Sequence, residues 1–219
     1  MDNHRLATQR LVQDYKERGD PNGWFEEFYA RAGGDVDKIY WADLAPGPHL
    51  LHWIAQKDAA GAHAITVGCG LGDDAEALTD HGYQVTAFDI SPSAIDMCRE
   101  RFPNSPADYR VADLFDYPEE WKQHFHLVYE CNTIQSLKGE ARSDALRAIV
   151  ELVAPGGEVL VSCRSRKSGD ESETYPLALD REEIEGFVRA GLAEIHFDAC
   201  DDHQDPPVPH FFAVYRRSN

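Results

Sequence analysis

The stretch Ala64-Ile65-Thr66-Val67-Gly68-Cys69-Gly70-Leu71-Gly72-Asp73-Asp74 holds the densest chemical information in the chain. An apolar, β-branched run leads straight into three alternating glycines and then into a helix-forming sequence. Glycines at 68, 70 and 72 let the backbone turn tightly and meet a ligand with no Cβ in the way, at the carboxyl end of a strand. Asp73 and Asp74 follow at the point where a dinucleotide pyrophosphate would have to meet the positive end of a helix. The two acids therefore disfavour a nicotinamide-dependent oxidoreductase and favour a nucleoside ligand without phosphates. S-adenosylmethionine, with its sulfonium and α-amino group, has that chemistry.

Phe88-Asp89-Ile90-Ser91 supplies a carboxylate 21 positions after Gly68, the spacing at which a strand-end acid accepts hydrogen bonds from both hydroxyls of a ribose. Ala112-Asp113-Leu114 ends the next strand, where Asp113 is placed to accept from an adenine amine and its neighbours to pack the ring. Taken singly, Asp89 before Ser91-Pro92 also serves as a helix cap and Asp113 as a turn former. Together they place three contacts at successive strand ends, as one extended ligand requires. The fourth strand ends Tyr129-Glu130-Cys131-Asn132-Thr133-Ile134, and Glu130 and Cys131 face the methyl-donor end of such a site. Cys131 reads as a small apolar filler rather than a nucleophile. His196, Asp198, Cys200, Asp201, Asp202, His203 and Asp205 have metal-ligand chemistry but fall in a turn-like, Asp/Pro-rich stretch, so no metal is expected.

The elements that must position these residues alternate. Apolar runs at 62–67, 84–89, 108–111, 126–131 and 158–163 predict strands, and 73–81, 92–101, 141–153 and 180–190 predict helices, with Pro155-Gly156-Gly157 ending the third. This is the pattern of a parallel sheet covered on both faces. Residues 194–199 and 211–216 read as a closing hairpin. Upstream, 6–18, 24–32 and 50–56 are helical in pattern, and their neighbourhood holds Trp24, Phe25, Phe28, Tyr40 and Trp41, too many aromatics to leave in water. One domain is expected over 1–219, with an N-terminal helical cap over 1–60 and the core over 61–219.

The glycine loop, Phe88-Asp89-Ile90-Ser91 and Ala112-Asp113-Leu114 together resemble the class I S-adenosylmethionine-dependent methyltransferases over nearly all of residues 40 to 217. The resemblance implies a three-layer α/β sandwich of Rossmann-like methyltransferase type, with a seven-stranded, mostly parallel sheet and an antiparallel C-terminal strand. It implies S-adenosylmethionine as cofactor, S-adenosylhomocysteine as product and a small-molecule methyl acceptor. Trp41-Ala42-Asp43-Leu44-Ala45-Pro46, the Gly-Cys-Gly-Leu-Gly-Asp-Asp loop and Asp205-Pro206-Pro207-Val208 narrow it towards bacterial relatives of thiopurine S-methyltransferases. That narrower resemblance implies a thiol or other soft acceptor and an aromatic cap over the cofactor at Trp41. The implied cofactor contacts are Trp41, Gly68, Cys69, Gly70, Gly72, Asp73, Asp89, Ile90, Ser91, Ala112, Asp113, Leu114 and Glu130. The Asn/Asp-Pro-Pro-aromatic run of similar nucleobase methyltransferases is missing after the fourth strand, as is the Asp-Asn pair of metal-assisted catechol enzymes.

Composition narrows the partners. A formal net charge of −18 repels phosphate backbones and anionic lipid surfaces, so neither nucleic acid nor membrane is expected. Met1–Gln13 lacks the apolar core of a secretory signal, and five scattered cysteines outside C-x-x-C spacing read as reduced thiols; a cytoplasmic location follows as the expectation. A non-catalytic cofactor-binding regulator or partner subunit is the competing reading, since a binding loop alone does not require turnover.

Overall fold

The computed structural model describes residues 3–170, 175–202 and 207–219. Its strands are β1 (His63–Val67), β2 (Gln84–Asp89), β3 (Asp108–Val111), β4 (Phe125–Cys131), β5 (Val153–Arg164), β6 (Ala193–Asp201) and β7 (Pro209–Arg216). They form one sheet in the order β3-β2-β1-β4-β5-β7-β6. The pairs among β1 to β5 are parallel, and β7 runs antiparallel to both its neighbours. This is the seven-stranded α/β architecture that the sequence predicts.

The helices are α1 (Asn3–Glu17), α2 (Gly23–Ala32), α3 (Pro48–Ile54), α4 (Asp73–Asp80), α5 (Pro92–Arg101), α6 (Gly139–Leu152), α7 (Arg181–Ile184) and α8 (Gly186–Arg189). Both faces of the sheet are apolar because both are covered. On one side Leu50 of α3, Leu78 of α4 and Ile95 of α5 pack with Ala64, Leu127 and Tyr129; on the other Ile149 of α6 and Phe187 of α8 pack with Ile65, Val128 and Tyr215. The alternation of Ala64 and Ile65 between the two clusters is the period of two of a strand.

Three details depart from the sequence pattern. β5 begins directly at Val153, so Pro155-Gly156-Gly157 does not separate α6 from it; the β4–β5 pairing shifts register there, from Phe125↔Val153 to Leu127↔Glu158. The predicted helix over 180–190 is two short helices divided at Glu185, the first opened by an Asp180–Glu183 capping box. Within the predicted cap, α3 is part of the core: Leu50 and Ile54 are buried, and Trp53 and Lys57 both reach Glu158 of β5 at 3.1 Å. Burying such apolar side chains contributes roughly 1.5–3 kcal/mol each. α2 and its aromatic neighbours pack apart from that core, with α2 against α5.

The residues with metal-ligand chemistry near the C-terminus lie mostly on β6 rather than in a turn, with His203 and Asp205 outside the described residues. Asp205-Pro206 and the end of the predicted polar loop over 165–174 also lie outside them.

Candidate functional site

β1 delivers the glycine loop to the carboxyl end of the sheet. Gly68, Gly70 and Gly72 all have positive φ (60°, 54° and 88°), where a Cβ is strained. Gly68 is further constrained by Thr133, whose hydroxyl donates to the Val67 carbonyl at 2.9 Å and fills the position a Cβ would take. Gly68→Ala is therefore expected to lower stability by about 1–3 kcal/mol, read as the shift of a urea transition. An unshifted transition would mean that the turn is not needed.

The loop is fastened to β2 through Asp89. Its carboxylate accepts the Gly70 N–H at 3.0 Å and the Ser91 N–H at 2.9 Å, while the Cys69 N–H donates to the Phe88 carbonyl at 2.8 Å. Burial pushes the Asp89 carboxyl up to about 6, against the pull of those N–H bonds. Ile90 is half-buried beside it. The Ala112 N–H continues the β2–β3 ladder onto the Asp89 carbonyl at 3.0 Å, and the Asp113 carboxylate accepts the Phe115 N–H at 2.9 Å. Leu114 turns into the core, whereas Asp113 stays partly accessible.

Other predicted contacts sit one layer behind. Asp73 is held by the Arg101 guanidinium in two bonds of 2.8 Å, and Arg101 also reaches the Leu71 carbonyl. Asp74 accepts the Gly47 N–H at 2.8 Å, and burial raises its carboxyl to about 6. Arg101 thus offsets the charge of Asp73, while the Asp74 carboxylate is engaged by the Gly47 N–H. Ser91 is wholly buried; its hydroxyl accepts from the Ala94 N–H to cap α5 and donates to Glu26.

Glu130 pairs with Val67 across β1 and β4, so it stands beside the loop. It is fully buried: Oε1 accepts from the Thr133 and Ile134 N–H groups at 2.7 and 2.9 Å, whereas Oε2 has no partner among the described residues. Burial pushes its carboxyl up to about 7. Glu130 thus shapes the turn that follows β4, which includes Asn132 at φ 66°. Cys131 is not activated: burial, with Asp74 and Glu130 nearby, pushes its thiol up.

Sequence reasoning overlooked two residues of α2. Glu26 accepts from the Ser91 hydroxyl at 2.7 Å and from the Ser93 N–H and hydroxyl at 3.0 and 2.7 Å, docking α2 on the first turn of α5. Burial raises its carboxyl, but these bonds outweigh that and hold it below its ordinary value. Tyr29, one helical turn further on, reaches the glycine loop. Trp41, the predicted cover, is half-buried beside it, stacked on Phe28 at 4.0 Å with its indole N–H donating to the Tyr29 hydroxyl at 3.3 Å. An acid three positions before a tyrosine marks one helix face, but which aromatic of the cap faces the loop depends on how α2 crosses α5.

The glycine cradle, the strand-end carboxylate of Asp89 and the accessible Asp113 fit an adenosyl ligand. Among the described residues no group of three is placed to hold a metal ion, and no helix is long and apolar enough to cross a membrane.

Residues 64–157 match a family model described as "Methyltransferase domain". The chain is similar to the ubiquinone biosynthesis O-methyltransferase of Xanthomonas oryzae pv. oryzae, with 32% identity over 114 residues that cover 51% of this chain and 47% of that protein. It spans about half the length of the curated relatives it matches first. The structure of the N-methyltransferase NodS from Bradyrhizobium japonicum, in complex with S-adenosylhomocysteine, superposes with a TM-score of 0.65 at 19% identity, covering 100% of each chain. The cyclase SpnF superposes with the same TM-score at 16% identity, covering 78% of this chain and 80% of its own. These likenesses are of fold, and a cyclase among them means that fold alone does not fix the reaction.

Proposed function

We propose that this chain, whose residues 64–157 match a family model described as "Methyltransferase domain", is a class I methyltransferase that transfers a methyl group from S-adenosylmethionine to a small-molecule acceptor. The observation that carries this is the joint between Asp89 and Gly70: it sets a carboxylate against a glycine loop at adjacent strand ends, where a ribose and the chain attached to it would lie.

Bound S-adenosylmethionine supplies an electrophilic methyl carbon on a sulfonium. The chain's own task is to bind and align. Gly68, Cys69, Gly70 and Gly72 offer main chain to the ligand. Asp89 accepts from the ribose hydroxyls, with Ile90 and Ser91 behind it, and Asp113 accepts from the adenine amine while Ala112 and Leu114 flank the ring. Glu130 fixes the turn after β4 beside the reacting end, and Asp73 steadies the loop through Arg101. In-line displacement needs alignment above all, so no covalent enzyme intermediate is required.

The names of the similar proteins favour oxygen and nitrogen acceptors. The resemblance to thiopurine relatives adds a thiol. The net charge of −18 argues against nucleic acid, and in this proposal residues 1–219 work as one domain in the cytoplasm. The test is release of S-adenosylhomocysteine from S-adenosylmethionine with a panel of phenols, amines and thiols, before and after exhaustive chelation. Turnover with one class, unchanged by chelation, is expected. Binding without turnover on any acceptor would favour a non-catalytic regulator, and loss on chelation would reject the metal-free mechanism.

A further inference from the structure

The Tyr29 side chain is 4% exposed, and its hydroxyl lies 3.3 Å from where a Cβ on Gly70 would stand. Asp89 is close enough to raise the phenol further after burial has already done so, yet it does not accept from it. The hydroxyl accepts one bond, from the Trp41 indole, and no acceptor for its own proton is placed among the described residues. A buried donor left unpaired costs about 1–3 kcal/mol, and this one is held there by three bonds from α5 to Glu26 on the same helix face. Its surroundings, the Gly70 turn and the Asp89 carboxylate, are those assigned above to the ribose end of the cofactor.

We infer that Tyr29 is the cap's direct contact with the cofactor, its hydroxyl donating to an oxygen of the bound adenosyl ligand, and that Trp41 acts through it as a positioning residue. Glycine at 70 then has a second role: it leaves room for the hydroxyl to come down onto the loop. The accepting oxygen is either a ribose hydroxyl or the ligand carboxylate, and both lie within one ligand. This rests on the proposed cofactor.

The experiment is calorimetric titration of the full chain with S-adenosylhomocysteine, using the parent, Tyr29→Phe, Trp41→Phe and the double variant. Tyr29→Phe keeps the ring, so the cap stays packed; a cooperative urea transition with a midpoint no lower than the parent's checks this. About a tenfold loss of affinity is expected for Tyr29→Phe and about threefold for Trp41→Phe. Trp41→Phe should add nothing in the Tyr29→Phe background, a coupling that a merely structural tryptophan would not show. Equal binding by Tyr29→Phe overturns the contact, and tighter binding overturns it by identifying the ring as an obstacle. Additive losses overturn the role of Trp41. Failure of the parent to bind S-adenosylhomocysteine overturns this inference together with the proposed function, whereas a binding parent with an indifferent Tyr29→Phe overturns this inference alone.

Discussion

Asp89→Ala is expected to weaken S-adenosylhomocysteine binding by about 100-fold and to cost about 2–4 kcal/mol of stability. The first effect follows from deleting the carboxylate that accepts from both ribose hydroxyls, since hydrogen bonds to a charged group contribute about 1.5–3 kcal/mol. The second follows from the structure. Gly70 and Ser91 both donate their N–H groups to this carboxylate, and the alanine would strand two donors in a buried place. From sequence, the same substitution is expected to leave the fold intact; the bonds across the loop add a cost in stability to that expectation. Asp89→Asn keeps one acceptor oxygen, so it should recover part of the stability and less of the affinity. Calorimetry and urea denaturation separate the two losses, and unchanged affinity in Asp89→Ala would remove the ribose role.

Stability and cofactor binding should move in opposite directions with pH. Burial raises Asp74 and Asp89 from 3.8 to about 6 and Glu130 from 4.5 to about 7. Between the unfolded and folded values the native state holds protons that the unfolded chain has released. The contribution of these groups is thus fully present below the unfolded values and is lost as pH rises through about 6 to 7. Glu130 alone represents about 3 kcal/mol at about 1.4 kcal/mol per unit. The carboxyls held below their ordinary values, Glu26, Glu158 and Asp180, act with the opposite sign but only at more acidic pH. The urea midpoint should therefore rise from pH 8 to pH 5.5. Affinity for S-adenosylhomocysteine should fall over the same interval, because protonated Asp89 is a poorer acceptor. The net charge of −18 also favours the acidic side, but salt screens that part and leaves the buried groups largely unaffected. A midpoint that is flat or rises toward pH 8 in high salt would contradict these burial shifts.

Much of the fold is legible because its signals are local. β1 and β2 are apolar or β-branched runs ending in glycine or acid, and Ser91-Pro92 opens α5 with a cap and a pre-set φ. What escapes the sequence depends on long-range contact. The β-bulge that admits β5 directly after α6 is set by pairing with Phe125, and the core role of α3 by Leu50 and Ile54 meeting the sheet. In the site, residue types at strand ends are visible, but the directions of their side chains are not. Asp73 is visible as an acid after the glycine loop, but that Arg101, 28 positions away, bonds both its oxygens is not. Nor does the sequence announce that the Trp41 indole donates to the Tyr29 hydroxyl of α2. Pairing partners distant in sequence decide such outcomes, and no periodicity encodes them.

In the proposed function the glycine loop and Asp89 hold an adenosyl ligand without phosphates. Parallel calorimetric titrations of the full chain with S-adenosylhomocysteine and with NAD test it most directly. Saturable, one-to-one binding of S-adenosylhomocysteine and none of NAD is the predicted result, and tighter binding of NAD, or no binding of S-adenosylhomocysteine, would contradict it.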